Sequence, residues 1–118
     1  TEMRAAAESA AAERDATITE IVEIPGAYDT PLAADRLARR DEIDAVAVIG
    51  AIVTGDTDHD KVIADAAAQK LTDVSLDRDT PVTFGVSGPG MSGAEARERE
   101  TKGAEAVNAA VDMVKVLP

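Results

Sequence analysis

The stretch Val46-Ala47-Val48-Ile49-Gly50-Ala51-Ile52-Val53-Thr54-Gly55-Asp56-Thr57-Asp58-His59-Asp60 decides how this chain folds. Ala45 to Ile49 is apolar without alternation, the pattern of a strand covered on both faces. Gly50 and Gly55 bound a loop, and Val62, Ile63, Ala66, Ala67 and Leu71 follow at helical spacing. A buried strand that ends in a loop and opens onto a helix belongs to a parallel α/β sheet. Ligands of such sheets sit outside the carboxyl ends of the strands. The unpaired N–H groups of a helix start also suit an anion. His59, the chain's one histidine, lies in this stretch, and imidazole moves protons near neutral pH. Two readings of His59 stand here: an acid or base in a small-molecule site that binds phosphate or carboxylate, or a surface histidine near a helix start.

Outward from this stretch the pattern repeats. Toward the N-terminus, Met3, Ala6, Ala7, Ala10 and Ala11 recur at helical spacing, and alanine is the best helix former, predicting a helix from about Thr1 to Arg14. Thr17 to Ile24 is rich in β-branched residues and reads as a strand, ended by Pro25-Gly26. Ala27-Tyr28-Asp29 is a short loop. Thr30 as N-cap and Pro31 at the first helical position start a helix to about Arg40. Toward the C-terminus, the helix from about Asp60 runs to Leu71 or Leu76. Pro81 to Val86 is a strand with proline tolerated at its start, and Ser87-Gly88-Pro89-Gly90 is a loop. A long helix starts near Ser92, with Gly103 marking either a kink or a close approach. Helices alternating with strands predict a parallel sheet with helices on both faces.

The 118 residues make one domain. Only one Tyr and one Phe are present, so the core is built from Ala, Val, Ile and Leu. A core this light in a short chain is marginal alone, which predicts burial between subunits of an oligomer. The net charge of -11 argues against nucleic acid and anionic membranes. It fits either a strongly charged soluble surface or adaptation to high salt. Cysteine is absent, which removes disulfides, thiolate nucleophiles and thiolate-bound metals. No run approaches membrane-spanning length and no signal-peptide pattern opens the chain, so the cytoplasm is the expected compartment.

Three loops follow the three strands, and in a parallel sheet all emerge at the carboxyl edge. That groups Tyr28, Asp29, His59 and Phe84, a set suited to a flat heterocycle bearing hydroxyls. Asp56, Asp58 and Asp60 are read as partners of the helix dipole, because their spacing lacks a calcium loop's pattern. Arg97 and Arg99 lie among Glu95, Glu98 and Glu100, as on any charged helical face.

Pro25-Gly26-Ala27-Tyr28-Asp29-Thr30-Pro31-Leu32-Ala33 resembles the PGA(F/Y)(E/D)xPLA motif of the lumazine synthase family. Gly50 to Asp60 is similar to that family's GxVIxGxTxH motif. Pro81 to Val86, Glu98-Arg99 and Lys102 to Ala106 continue in family order, and the Ser87 to Met91 loop and Asp58-His59-Asp60 are similar to archaeal members. The resemblance covers essentially the whole chain. It implies a three-layer α/β/α domain with a flavodoxin-like parallel sheet of four strands. It implies condensation of 5-amino-6-(D-ribitylamino)uracil with 3,4-dihydroxy-2-butanone 4-phosphate to 6,7-dimethyl-8-ribityllumazine, in riboflavin synthesis, with no cofactor and no metal.

Residue by residue, the resemblance assigns Ala27, Tyr28 and Asp29 to the ribityl chain and pyrimidine. Ala51, Ile52 and Val53 meet the uracil edge through backbone groups. Asp56, Thr57 and Arg99 bind the phosphate, with Arg97 as the competing arginine. His59 is the acid/base, and Phe84 serves the neighbouring subunit's site. The partners implied are these small molecules and copies of the chain, as a pentamer or a shell of pentamers. Related archaeal riboflavin synthase, and a non-catalytic flavin-binding or shell protein, are the alternatives. Two departures stand out. Asp60 occupies a place often aromatic, and the family begins with a central strand, carrying an aromatic-Asn pair, upstream of Thr1. The resemblance therefore implies an N-terminally truncated domain over 1–118, lacking that strand and one wall of the site. It predicts weak or no activity for the chain as it stands.

Overall fold

The computed structural model describes residues 2–51, 59–87 and 95–118. In order these form helix α1 (Glu2–Glu13), a 3-10 turn (Ala27–Asp29), helix α2 (Thr30–Ala38) and strand β1 (Val46–Ala51). Helix α3 (His59–Arg78), strand β2 (Val82–Ser87) and helix α4 (Glu95–Val116) follow. β1 and β2 pair in parallel, with Val46 opposite Val82, Val48 opposite Phe84 and Ala51 opposite Ser87. Helices α1 and α4 pack together on one face of the sheet, and α2 and α3 on the other. The result is a three-layer α/β/α arrangement.

Side chains alternate across a strand, and β2 shows what each face demands. Val82 and Phe84 face the α2/α3 layer, against an apolar cluster of Ala34, Ala38, Val46, Leu71 and Val74. Thr83 and Gly85 face α4. The Thr83 hydroxyl donates to the Ala106 carbonyl at 2.7 Å. A Cβ on Gly85 would lie 2.4 Å from the Lys102 carbonyl oxygen and 2.7 Å from the Ala106 Cβ. α4 thus sits nearly on the strand backbone. Gly103 makes the same contact one layer out, where a Cβ would lie 2.5 Å from the Met3 carbonyl oxygen of α1. Of the two expectations for Gly103, the close approach holds; α4 is one helix from Glu95 to Val116.

Thr17 to Ile24 corrects the sequence reading. These residues form no strand, and among the described residues no backbone hydrogen bond links them to a neighbour. β-branched side chains favour a pleated surface only where a ladder exists to make one. Ile18, Ile21 and Val22 remain exposed. Two exposed ion pairs hold the segment instead, Arg4 to Glu23 at 3.1 Å and Arg40 to Glu20.

Helix ends differ by smaller steps. Asp29 takes the N-cap position of α2 without a side-chain cap bond, and Thr30 is inside the helix. Its hydroxyl donates back to the Ala27 carbonyl at 2.7 Å, closing the 3-10 turn rather than capping α2. α3 runs on to Arg78, past Leu76, and ends on Asp79 in the left-handed region at φ 52. The Thr80 N–H then reaches the Ser75 carbonyl at 3.2 Å, as in a Schellman motif. Asp15, at φ 55, ends α1 the same way, with the Ala16 N–H on the Ala11 carbonyl at 2.9 Å.

Candidate active site

A helix that follows a parallel strand runs back antiparallel to it, so its N-terminus stands at the strand's carboxyl end. α3 follows β1 and α4 follows β2, and both helix starts therefore lie at one edge. His59 is the first residue of α3. Arg97 and Arg99 lie in the first two turns of α4, beyond the Gly85 contact with Lys102. Ala51 ends β1 opposite Ser87. The 3-10 turn carrying Ala27, Tyr28 and Asp29 packs against α3 at the start of α2. Proline at the second helical position fits the local turn.

Tyr28 is 76% exposed, and Asp29 is exposed with its N–H donating to the Gly26 carbonyl at 3.1 Å. Both are thus free to meet a ligand. Ile52, Val53, Asp56 and Thr57 lie outside the described residues. So do Asp58 and residues 88–94, including the Ser92 helix start.

Phe84 is a correction. The sequence reading groups it with the loop after the third strand. It is the third residue of β2, opposite Val48, and half-buried against the apolar cluster. A residue two places short of Val86 lies inside the sheet, and alternation turns it toward α2 and α3. Its remaining exposure is what a second subunit would have to use.

The shifted titrations lie away from this edge. Asp35 on α2 is held below its ordinary carboxylate range, first by the hydrogen bond from Arg78 and also by Arg39. Arg78 Nε donates to Asp35 at 2.7 Å, tying α2 to the end of α3. Glu42 is lowered by Arg40 in the same way. These are structural ion pairs. Among the described residues no cluster of three His, Asp or Glu side chains is placed to hold a metal. No helix among them is long and apolar enough to cross a membrane.

The fold thus brings the start of α3, the first described turns of α4 and the exposed Tyr28-Asp29 turn to one edge of an α/β/α domain. The chain belongs to the 6,7-dimethyl-8-ribityllumazine synthase family, whose model matches residues 1–118. A 6,7-dimethyl-8-ribityllumazine synthase of Halobacterium salinarum is 75% identical over 115 residues, covering 98% of this chain and 86% of the relative. One of Halorubrum lacusprofundi is 73% identical with the same coverage. One of Methanocaldococcus jannaschii is 46% identical over 102 residues, covering 86% of this chain and 72% of the relative. The first two relatives come from halophilic archaea, in keeping with the acidic composition.

One feature escaped the motif reading. A concavity of about 630 Å³ lies between residues 17–24 and β1, away from the loops.

Proposed function

We propose that this chain catalyses the condensation of 5-amino-6-(D-ribitylamino)uracil with 3,4-dihydroxy-2-butanone 4-phosphate to 6,7-dimethyl-8-ribityllumazine. The observation that carries the reading is the 75% identity to a synthase of that name across nearly the whole chain. The common edge occupied by His59, the Tyr28-Asp29 turn and the start of α4 supports it. The 5-amino group adds to the ketone and expels water as the imine forms. Inorganic phosphate leaves next. Its departure takes the proton from the carbon bearing the 3-hydroxyl, and the enol left behind becomes a new carbonyl, on which the ribitylamino nitrogen closes the ring with loss of a second water. Each step needs a proton delivered or removed, and His59 is the group at this edge suited to both.

The roles follow from chemistry. Asp29 accepts hydrogen bonds from ribityl hydroxyls, beside Ala27 and Tyr28. Backbone groups of Ala51, Ile52 and Val53 read the uracil edge. The phosphate takes N–H groups at Asp56 and Thr57, the Thr57 hydroxyl and the guanidinium of Arg99, whose planar fork matches phosphate oxygens; Arg97 is its rival. Of Phe84, packed against its own subunit's apolar cluster, only the part left exposed is offered to the neighbouring subunit's site. The assembly is a pentamer or a shell of pentamers in the cytoplasm, with sites between subunits. Leu32, 58% exposed in the first turn of α2, and Val62, 64% exposed in the first turn of α3, support docking of a second copy around this edge.

The test mixes protein with both substrates and follows product fluorescence and released phosphate. For His59→Ala the rate falls by about 100-fold or more with substrate binding retained, the scale of general acid–base catalysis; an unchanged rate removes His59 from the mechanism. Arg99→Ala raises KM for the phosphate substrate more than Arg97→Ala does, and the reverse order reassigns the phosphate partner.

A further inference from the structure

Pro31 leaves the turn that carries Tyr28 and Asp29 one bond short. A 3-10 turn is held by N–H groups that reach back three residues. The Asp29 N–H donates to the Gly26 carbonyl at 3.1 Å, and the Thr30 N–H donates to the Ala27 carbonyl. The next donor in the series falls on Pro31, and proline has no N–H. The Thr30 side chain makes up the loss. Its hydroxyl donates to the same Ala27 carbonyl at 2.7 Å, so both lone pairs of that oxygen are occupied. Thr30 is 6% exposed, which shields the bond from water. Tyr28 and Asp29, between the two joined residues, are exposed.

The same bond decides what Asp29 does. Asp29 stands at the N-cap position of α2, where an aspartate carboxylate ordinarily accepts from the N–H of the second or third helical residue. It makes no such bond here. The second helical residue is Pro31, which leaves Leu32 as the donor. Asp29 also has φ -91 and ψ -4, helical values, whereas a capping residue is extended. Turning the Asp29 ψ to the extended region swings Thr30 away from Ala27 and breaks both of its bonds. Capping by Asp29 and the Thr30–Ala27 bonds are therefore alternatives.

We infer that Thr30 is a positioning residue for ligand binding: its hydroxyl bond to the Ala27 carbonyl keeps Asp29 out of the N-cap conformation, and so holds the Asp29 carboxylate available to the hydroxyls of the ribityl chain. This role rests on Asp29 meeting that chain, as proposed above. The Ala27 carbonyl, already saturated, takes no ligand hydroxyl, and the charged acceptor of the turn is Asp29. Without the Thr30 hydroxyl the turn keeps only its backbone bonds, and the carboxylate turns back to cap Leu32. The chain stays folded, because a cap replaces the lost bond. The PGA(F/Y)(E/D)xPLA motif leaves this position open, so the role belongs to the threonine of this chain.

The test uses the 118-residue chain with Thr30→Val, which keeps the shape and removes the hydroxyl, Thr30→Ser, which keeps the hydroxyl, Asp29→Ala, and the double variant Thr30→Val, Asp29→Ala. Fluorescence titration measures binding of 6,7-dimethyl-8-ribityllumazine and of 6,7,8-trimethyllumazine, which carries a methyl group in place of the ribityl chain. Thr30→Val weakens the ribityl compound by about 5-fold, the scale of one neutral hydrogen bond, and leaves the trimethyl compound unchanged. Thr30→Ser binds as the parent does. In the Asp29→Ala background Thr30→Val adds nothing, because it acts through the carboxylate. Amide exchange of the ligand-free protein reads the conformation directly. The Leu32 N–H exchanges about 5-fold more slowly in Thr30→Val, as a cap forms, and the double variant matches Asp29→Ala. Equal weakening of both compounds, additive effects of the two substitutions, or an unprotected Leu32 amide in Thr30→Val would each overturn the inference. A parent that binds neither compound counts against the proposed function; the Leu32 amide, read without ligand, still upholds or overturns the hold of Thr30 on Asp29.

Discussion

The two sides of β1 are built from the same kinds of residue and come out differently. Toward β2 and α4 the packing leaves no room for a methyl group: Gly85 and Gly103 each sit where a Cβ would meet backbone closer than 3 Å. Toward residues 17–24 there is a trough of about 630 Å³ and exposed isoleucine and valine. Apolar, β-branched composition does not distinguish the two. What distinguishes them is whether a neighbouring strand supplies the ladder that turns composition into packing.

The sharpest way to test that contrast is to truncate one apolar side chain on each side. Leu71, 2% exposed in the apolar cluster, should cost about 3 kcal/mol as Leu71→Ala, through lost burial and the cavity left behind. Ile21, 44% exposed, should cost less than about 0.5 kcal/mol as Ile21→Ala. Urea denaturation of both variants measures the difference. Equal losses would mean that the 17–24 segment is already packed, and the contrast would collapse.

The glycine contacts give a smaller effect. Gly103→Ala gains about 1 kcal/mol of helix propensity but sets a Cβ 2.5 Å from the Met3 carbonyl oxygen. That oxygen belongs to the backbone and cannot swing away, so overpacking wins and the net loss is about 1 kcal/mol. Gly26→Ala, where a Cβ meets nothing within 4 Å, is the matched control. A stabilised Gly103→Ala protein would show that α1 and α4 are less tightly joined than their geometry.

The smallest effect concerns charge. Asp35 is held below its ordinary range by Arg78 and Arg39. A depressed folded-state value means that its stabilisation is complete above the ordinary carboxylate range and is lost as pH falls through the folded-state value. Asp35→Asn should therefore lower the melting temperature at neutral pH and match the parent in strong acid. Salt screens the surface pairs involved, so the neutral-pH gap narrows as salt is added. A gap that persists in acid would trace the loss to something other than the ion pair.

Much of this molecule was legible in its residues. The apolar run before Gly50, the helical spacing after it and the Pro81 to Val86 run placed β1, α3 and β2 within a few residues. Five motifs in family order pointed to the synthase family before any coordinates. Helix ends were less legible. The stops at Asp15 and Asp79 use left-handed residues that are not glycine, so the usual stop signal was missing. Thr30 carried the right chemistry for a cap but bonds backward to Ala27, because the preceding 3-10 turn offers its carbonyl first. Phe84 was grouped with the loop that follows its strand, although the Pro81 to Val86 run already put it inside β2.

By itself, then, the sequence determined the helices, the two paired strands and the parallel α/β class. Local spacing and residue chemistry suffice for these. Only the tertiary structure decided that Gly103 is a contact rather than a kink, and that Phe84 packs inside the sheet. It alone left Thr17 to Ile24 without a ladder. A strand is a relation between two backbones, and no β propensity, however strong, supplies the second one.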